Sequence, residues 1–222
     1  CEKEMDTVHE LFSSGPDPRW QRHVVGRARL ERTSLAQRFL LAGSSSRAYA
    51  NAQIHDYQEL KRRSFPWPPP LRLTVRARFS HPQVELRGTA GFGFWNDPFL
   101  MTSFRLPALP RAAWFFFASR PSNMKLALDV PGAGWKAATV DALRPASLLL
   151  VPTALPAALL MNARPLYRRL WPPIQRALNI GEVLLSVEMR DWQTYVLEWR
   201  RESARFYVGS EPVLEAPAPR GP

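Results

Sequence analysis

The sequence predicts an all-β fold: two antiparallel sheets packed as a sandwich, with a helical insertion near residues 141–179. Three observations carry this. Short segments in which apolar and polar residues alternate recur along most of the chain, the period-2 mark of strands with one buried face. The 22 prolines fall largely between those segments, where they end strands and forbid long helices. A stripe of helical period arises in one stretch only, inside residues 141–179. With 222 residues, 45% hydrophobic and 22% charged, the chain can bury a real core and is not disordered at large.

Residues 1–20 read as an irregular lead-in closed by the turn cluster "SSGPDPRW". "RHVVGRARLE" and "QRFLLAG" follow as short strands, and "GSSSRAYANAQIHDY" as a loop into a third. "SFPWPPP" (Ser64 to Pro70) is a stiff connection that continues neither a helix nor a central strand. In "LRLTVRARF", Leu71, Leu73, Val75, Ala77 and Phe79 alternate with Arg72, Thr74, Arg76 and Arg78, the cleanest strand in the chain. "VELRG" and "TAGFGFW" repeat the pattern. In the second, Ala90, Phe92 and Phe94 share one face while Gly91, Gly93 and Trp95 share the other, which leaves room above it for a side chain or a ligand. "RAAWFFFASR" and "MKLALDV" (Met124 to Val130), with a polar turn between them, extend the series.

From Asp141 to Asn179 the composition turns to Ala, Leu, Pro and Arg. Pro165 is a fitting helix start, Leu166, Leu170, Ile174 and Leu178 form one stripe, and Pro172 and Pro173 are expected to kink the helix. The insertion is too short to bury a core of its own, so residues 1–222 read as a single domain. Strands resume in "EVLLSV". The segments 192–201 and 205–214 read as an antiparallel pair joined near "RES", and "APAPRGP" as an open-ended tail without a closing strand, which raises the expectation of a fragment.

The net charge of +11 would attract polyanions. The arginines, however, are spread through every segment, so no nucleic-acid partner is expected. The single cysteine, Cys1, excludes an intrachain disulfide and a cysteine-ligated zinc site. Its place is expected to mark a boundary, since no Gly/Ser tether follows it as it would a lipid-bearing cysteine. The most apolar run, Ala146 to Met161, is short and broken by Pro152 and Pro156, which does not suit a spanning helix. The composition assigns no compartment and no oligomeric state.

"WQTYVLEWRRESARFYVGSEPV" resembles the late strand pair of the concanavalin A-like lectin/glucanase superfamily, in particular glycoside hydrolase family 16. There a "Y-x-x-E-W" strand leads into "F/W-Y-V-D-G"; here Tyr207-Val208-Gly209-Ser210 lacks the aspartate. "GTAGFGFW" is similar to that family's "G-x-x-P-A-F-W" strand. The resemblance implies a jelly roll with an aromatic-lined groove for a polysaccharide. Hydrolysis in such a fold uses two carboxylates roughly 5 Å apart, which the family carries as E-x-D-x-E or E-x-D-x-x-E on one strand. No such triplet occurs here, and the corresponding stretch, "AWFFFASRPSNMKLALDV", holds only Asp129.

The expected function is therefore carbohydrate binding without catalysis. Trp95 is the first stacking candidate, with Trp114, Trp135 and Trp192 as further ones of which most are expected in the core, and Asn96 and Asp97 are the orienting polar groups, unless "NDP" is simply a turn. A glycosidase with displaced carboxylates is the alternative, with Glu188, Asp191 and Asp129 as candidates. Glu188 and Asp191 would cooperate only across a turn, and a solvated pair beside Arg190 is the competing reading. A further alternative is a peripheral membrane or protein-interaction role for the basic amphipathic segment 165–178, with Trp171 and Tyr167 at headgroup depth. The dispersed histidines (His9, His23, His55, His81) predict no metal site, "PGAGWKAAT" has the wrong spacing for a phosphate loop, and no cofactor is expected.

Overall fold

Residues 7–12, 17–45, 47–98, 108–122, 126–143, 164–178 and 180–220 are described by the computed structural model. Cys1, the run 146–161 and the larger part of the insertion lie outside them. The described residues up to Pro66 form one compact unit and those from Trp67 on a second.

The first unit contains β1 (Gln21–Val25), β2 (Arg29–Arg32), β3 (Gln37–Leu40) and β4 (Asn51–His55), with a 3-10 turn at Arg62–Ser64. β1 pairs with β4 and β2 with β3, all antiparallel. The expected single strand over "RHVVGRARLE" is two strands. Gly26 lies between them with φ +67, and a Cβ there would run into the Tyr49 carbonyl, so only glycine turns the chain at that point. Tyr57 sits between the rings of His55 and Phe65, 4.8 Å from each, which gives this small unit an aromatic stack of its own.

The second unit is a β-sandwich. One sheet has the order β12 (Glu211–Pro217), β11 (Ser203–Val208), β10 (Gln193–Trp199), β5 (Leu71–Ala77). The other runs β6 (Thr89–Trp95), β7 (Arg111–Ala118), β8 (Gly134–Asp141), β9 (Gly181–Leu184). All neighbours are antiparallel. The inner faces meet in an aromatic core: Phe92 from β6, Phe115 and Phe117 from β7, Trp135 from β8, Tyr195 from β10 and Phe206 from β11. Trp135 meets Tyr195 edge-on at 5.5 Å, and Phe115 meets Phe206 edge-on at 5.2 Å, geometries that add to simple area burial. Neither Trp135 Nε1 nor the Tyr195 hydroxyl has a well-formed hydrogen bond. Burial pushes the Tyr195 phenol up to about 12, partly offset by the nearby Trp135 indole.

Two expected strands are absent. "VELRG" is a turn, because Pro82 accepts from both Glu85 and Leu86 through its carbonyl, and Val84 points to solvent. The described part of "MKLALDV", residues 126–130, is a run of bends. The strand that pairs with β7 is instead "GWKAATVD", buried along its whole length. The helix α1 (Arg164–Ala177) begins one residue before Pro165 and runs continuously through Pro172–Pro173. The segment expected as one strand over 205–214 is β11 and β12, joined by a turn in which Gly209 has φ +61. The described part of the expected open-ended tail, residues 218–220, is tied to the sandwich. Ala218 N–H donates to Glu202, Pro219 accepts from the buried Trp199 indole at 2.9 Å, and Arg220 N–H donates to the Asp141 carboxylate at 3.1 Å.

Candidate functional site

The β6–β7 hairpin builds an aromatic strip on the outer face of its sheet. Alternation sends Phe92 and Phe94 inward and leaves Gly91, Gly93 and Trp95 outward. On β7 the outward side chains include Trp114 and Phe116, which the register sets directly opposite Gly93 and Gly91. The space above the glycines is thus bordered by the neighbouring strand's rings. Gly93 has φ +149, and a Cβ there would collide with the Trp114 backbone. Trp95 lies 5.8 Å from Trp114, and Trp114 stacks at 5.3 Å on Phe116, giving three half-buried rings in a row.

The strip ends at "NDP". Asn96 is buried: its Oδ1 accepts from Arg111 N–H at 2.9 Å and its Nδ2 donates to the Leu109 carbonyl at 3.0 Å, which closes the end of the hairpin. Asp97 follows, fully buried, with φ +45. Beside them the buried Asp141 carboxylate lies 3.5 Å from Arg111 Nε and accepts from Leu143 N–H.

The β8–β9 half of the same outer face is covered by the chain itself. Lys136 Nζ lies 2.7 Å from Glu182 Oε1, both side chains almost wholly buried. Glu182 Oε2 accepts from Leu126 N–H and Ala127 N–H at 2.8 Å each, and Lys136 donates to the carbonyls of Pro131 and Gly132 at 3.3 Å. The ion pair therefore clamps the 126–132 segment onto the sheet. The half-buried Trp171 of α1 adds a second tie through its indole, which donates to the Leu126 carbonyl at 2.6 Å.

Of the expected stacking residues, Trp95 and Trp114 come together, while Trp192 stands on the other sheet. It is 41% exposed, with Arg76 and Arg78 guanidiniums each 5.1 Å from its ring. Phe116 was not singled out from the sequence, although its place two residues after Trp114 carried the signal. Glu188 and Asp191 share a turn, Asp191 N–H reaching the Glu188 carbonyl at 3.4 Å. The Arg190 side chain donates to Glu188 at 3.0 Å and holds its carboxyl below the usual value, with the Arg190 backbone N–H acting in the same direction. Asp129 is exposed, in the 126–132 segment. Among the described residues, no group of three His, Cys, Asp or Glu side chains is placed to hold a metal ion. No family model, curated protein or solved structure matches this chain.

Proposed function

We propose that the sandwich is a jelly-roll carbohydrate-binding domain that takes a neutral polysaccharide along the outer face of β6 and β7. The observation that carries this reading is the row Trp95–Trp114–Phe116, fixed on a rigid hairpin beside two positions that have no side chain. Aromatic rings held at one level suit the apolar faces of sugars, and rings locked by the sheet lose little entropy when a ligand settles on them. Asn96 and Asp97 lie at the end of the row, where the Asn96 side chain fixes the hairpin that presents it. Arg190 holds the Glu188 carboxyl below its ordinary value, which does not suit Glu188 to the part of a glycosidic general acid.

The experiment combines tryptophan fluorescence with a reducing-end assay on β-glucans, galactans and xylans. The expected result is a saturable fluorescence change with one polymer class, weakened at least tenfold in Trp114→Ala, with no reducing ends released. Reducing ends that disappear in Glu188→Gln would overturn the non-catalytic reading, and no response to any neutral polymer would overturn the strip as a site.

A further inference from the structure

The outward row of β5 lies on the sheet opposite the aromatic strip. Arg72, Thr74 and Arg76 alternate along β5 with the half-buried Leu71, Leu73, Val75 and Ala77, Arg78 follows directly after the strand, and all four of Arg72, Thr74, Arg76 and Arg78 are exposed. Same-face residues on a strand are about 6.7 Å apart, so the backbone from Arg72 to Arg78 covers about 20 Å along the edge strand of the sheet. Among the described residues none of the three makes an ion pair. Glu198, opposite Arg72 in the register, is engaged by Arg200 at 3.0 Å, and Glu215 on the same sheet by Arg205 at 3.0 Å. Arg72, Arg76, Arg78, Arg200 and Arg205 thus stand against the two carboxylates of Glu198 and Glu215, and this face keeps a positive excess. Trp192 lies within cation–π reach of two of these guanidiniums, which restrains them on a flat, solvent-facing surface.

We infer that this face binds a linear acidic polysaccharide, whose carboxylate or sulfate groups are taken one after another by Arg72, Arg76 and Arg78. Arginine forks match both groups in two-point hydrogen bonds, and restrained guanidiniums lose less freedom on binding than mobile ones. A single straight row suits one extended chain. Single-stranded nucleic acid needs open aromatic faces for its bases, and the exposed tryptophan of this face is occupied by guanidiniums. The inference is independent of the neutral-glycan strip, since it uses the other sheet and a ligand of different charge.

The test is calorimetric titration of the whole chain with dextran sulfate, whose only anions are sulfates, and with polygalacturonate, whose only anions are carboxylates, at several salt concentrations. Arg72→Gln/Arg76→Gln/Arg78→Gln is compared with Arg29→Gln/Arg32→Gln/Arg47→Gln, which removes the same charge from exposed arginines of the other unit. The expected result is that the first triple loses at least tenfold in affinity and about two to three in the slope of log K against log salt, while the second stays within about threefold of the unaltered chain. Whichever glycan responds identifies the anion. Equal losses in the two triples, or no binding of either glycan by the unaltered chain, would overturn the inference. So would arginine-dependent binding that favours single-stranded DNA or anionic vesicles over both glycans.

Discussion

The Lys136–Glu182 pair gives a strong test of how this sandwich is held. Its two charges are almost completely withdrawn from water and lie 2.7 Å apart, and each makes two further bonds to the backbone of the 126–132 segment. Lys136→Met removes the cation and leaves a carboxylate buried with only two amide donors. Breaking one side of such a pair costs about 3–5 kcal/mol. For a domain of this size that lowers Tm by about 6–20 °C. Glu182→Leu strands the ammonium and frees the amides of Leu126 and Ala127, with a loss of the same order. In the double variant no buried charge remains, and the residual cost comes from four backbone groups without partners. The double variant should therefore be about as unstable as the worse single one, far from the sum of both. Urea unfolding followed by tryptophan fluorescence measures all three. A loss below about 1 kcal/mol for Lys136→Met, or strictly additive singles, would refute the argument that the pair is the clamp.

Three more outcomes follow from the geometry. Gly93→Ala puts a Cβ against the Trp114 backbone at a φ that side chains avoid, so stability should fall by about 2 kcal/mol or more, read as a lower urea midpoint. Burial favours the neutral Tyr195 phenol, raising its pKa from 10.0 to about 12, so the folded state keeps a proton that the unfolded chain releases. Its contribution is complete below pH 10 and is lost toward pH 12 at up to about 1.4 kcal/mol per pH unit, and Tyr195→Phe should flatten that part of the stability–pH curve. Trp199→Phe removes the buried bond to the Pro219 carbonyl, costing about 1–3 kcal/mol, and should speed amide exchange at Ala218 and Arg220 while that of Phe115 stays slow.

The legibility of this chain followed how each strand meets water. β5 and β6 have one face in the core and one outside it, so apolar residues recur at period 2, and the inward sets Leu71 to Ala77 and Ala90 to Phe94 were readable directly. β8 is buried on both faces and carries Lys136, Thr139 and Asp141, so its composition looks like a loop although it is central to its sheet. The polar residues belong there because their partners arrive from far along the chain: Glu182 for Lys136, the Gly181 amide for Thr139 and the Arg220 amide for Asp141. Sequence periodicity records what a residue faces, not which distant residue faces it. "VELRG" erred the other way, with strand-like alternation over a segment that the Pro82 carbonyl folds into a turn.

The two candidate surfaces divide along the same line. The Trp95–Trp114–Phe116 strip was partly visible, because a glycine-faced strand next to an aromatic-rich one implies rings over open backbone. The arginine row was in plain view as alternation, yet its meaning depended on Glu198 being held by Arg200 and on Trp192 arriving from the residue before β10, far away in sequence. Scattered arginines become a directed surface only where the sheet withdraws their carboxylate partners. On this sandwich that condition is met along β5, through pairing in space and not through the net charge of the chain.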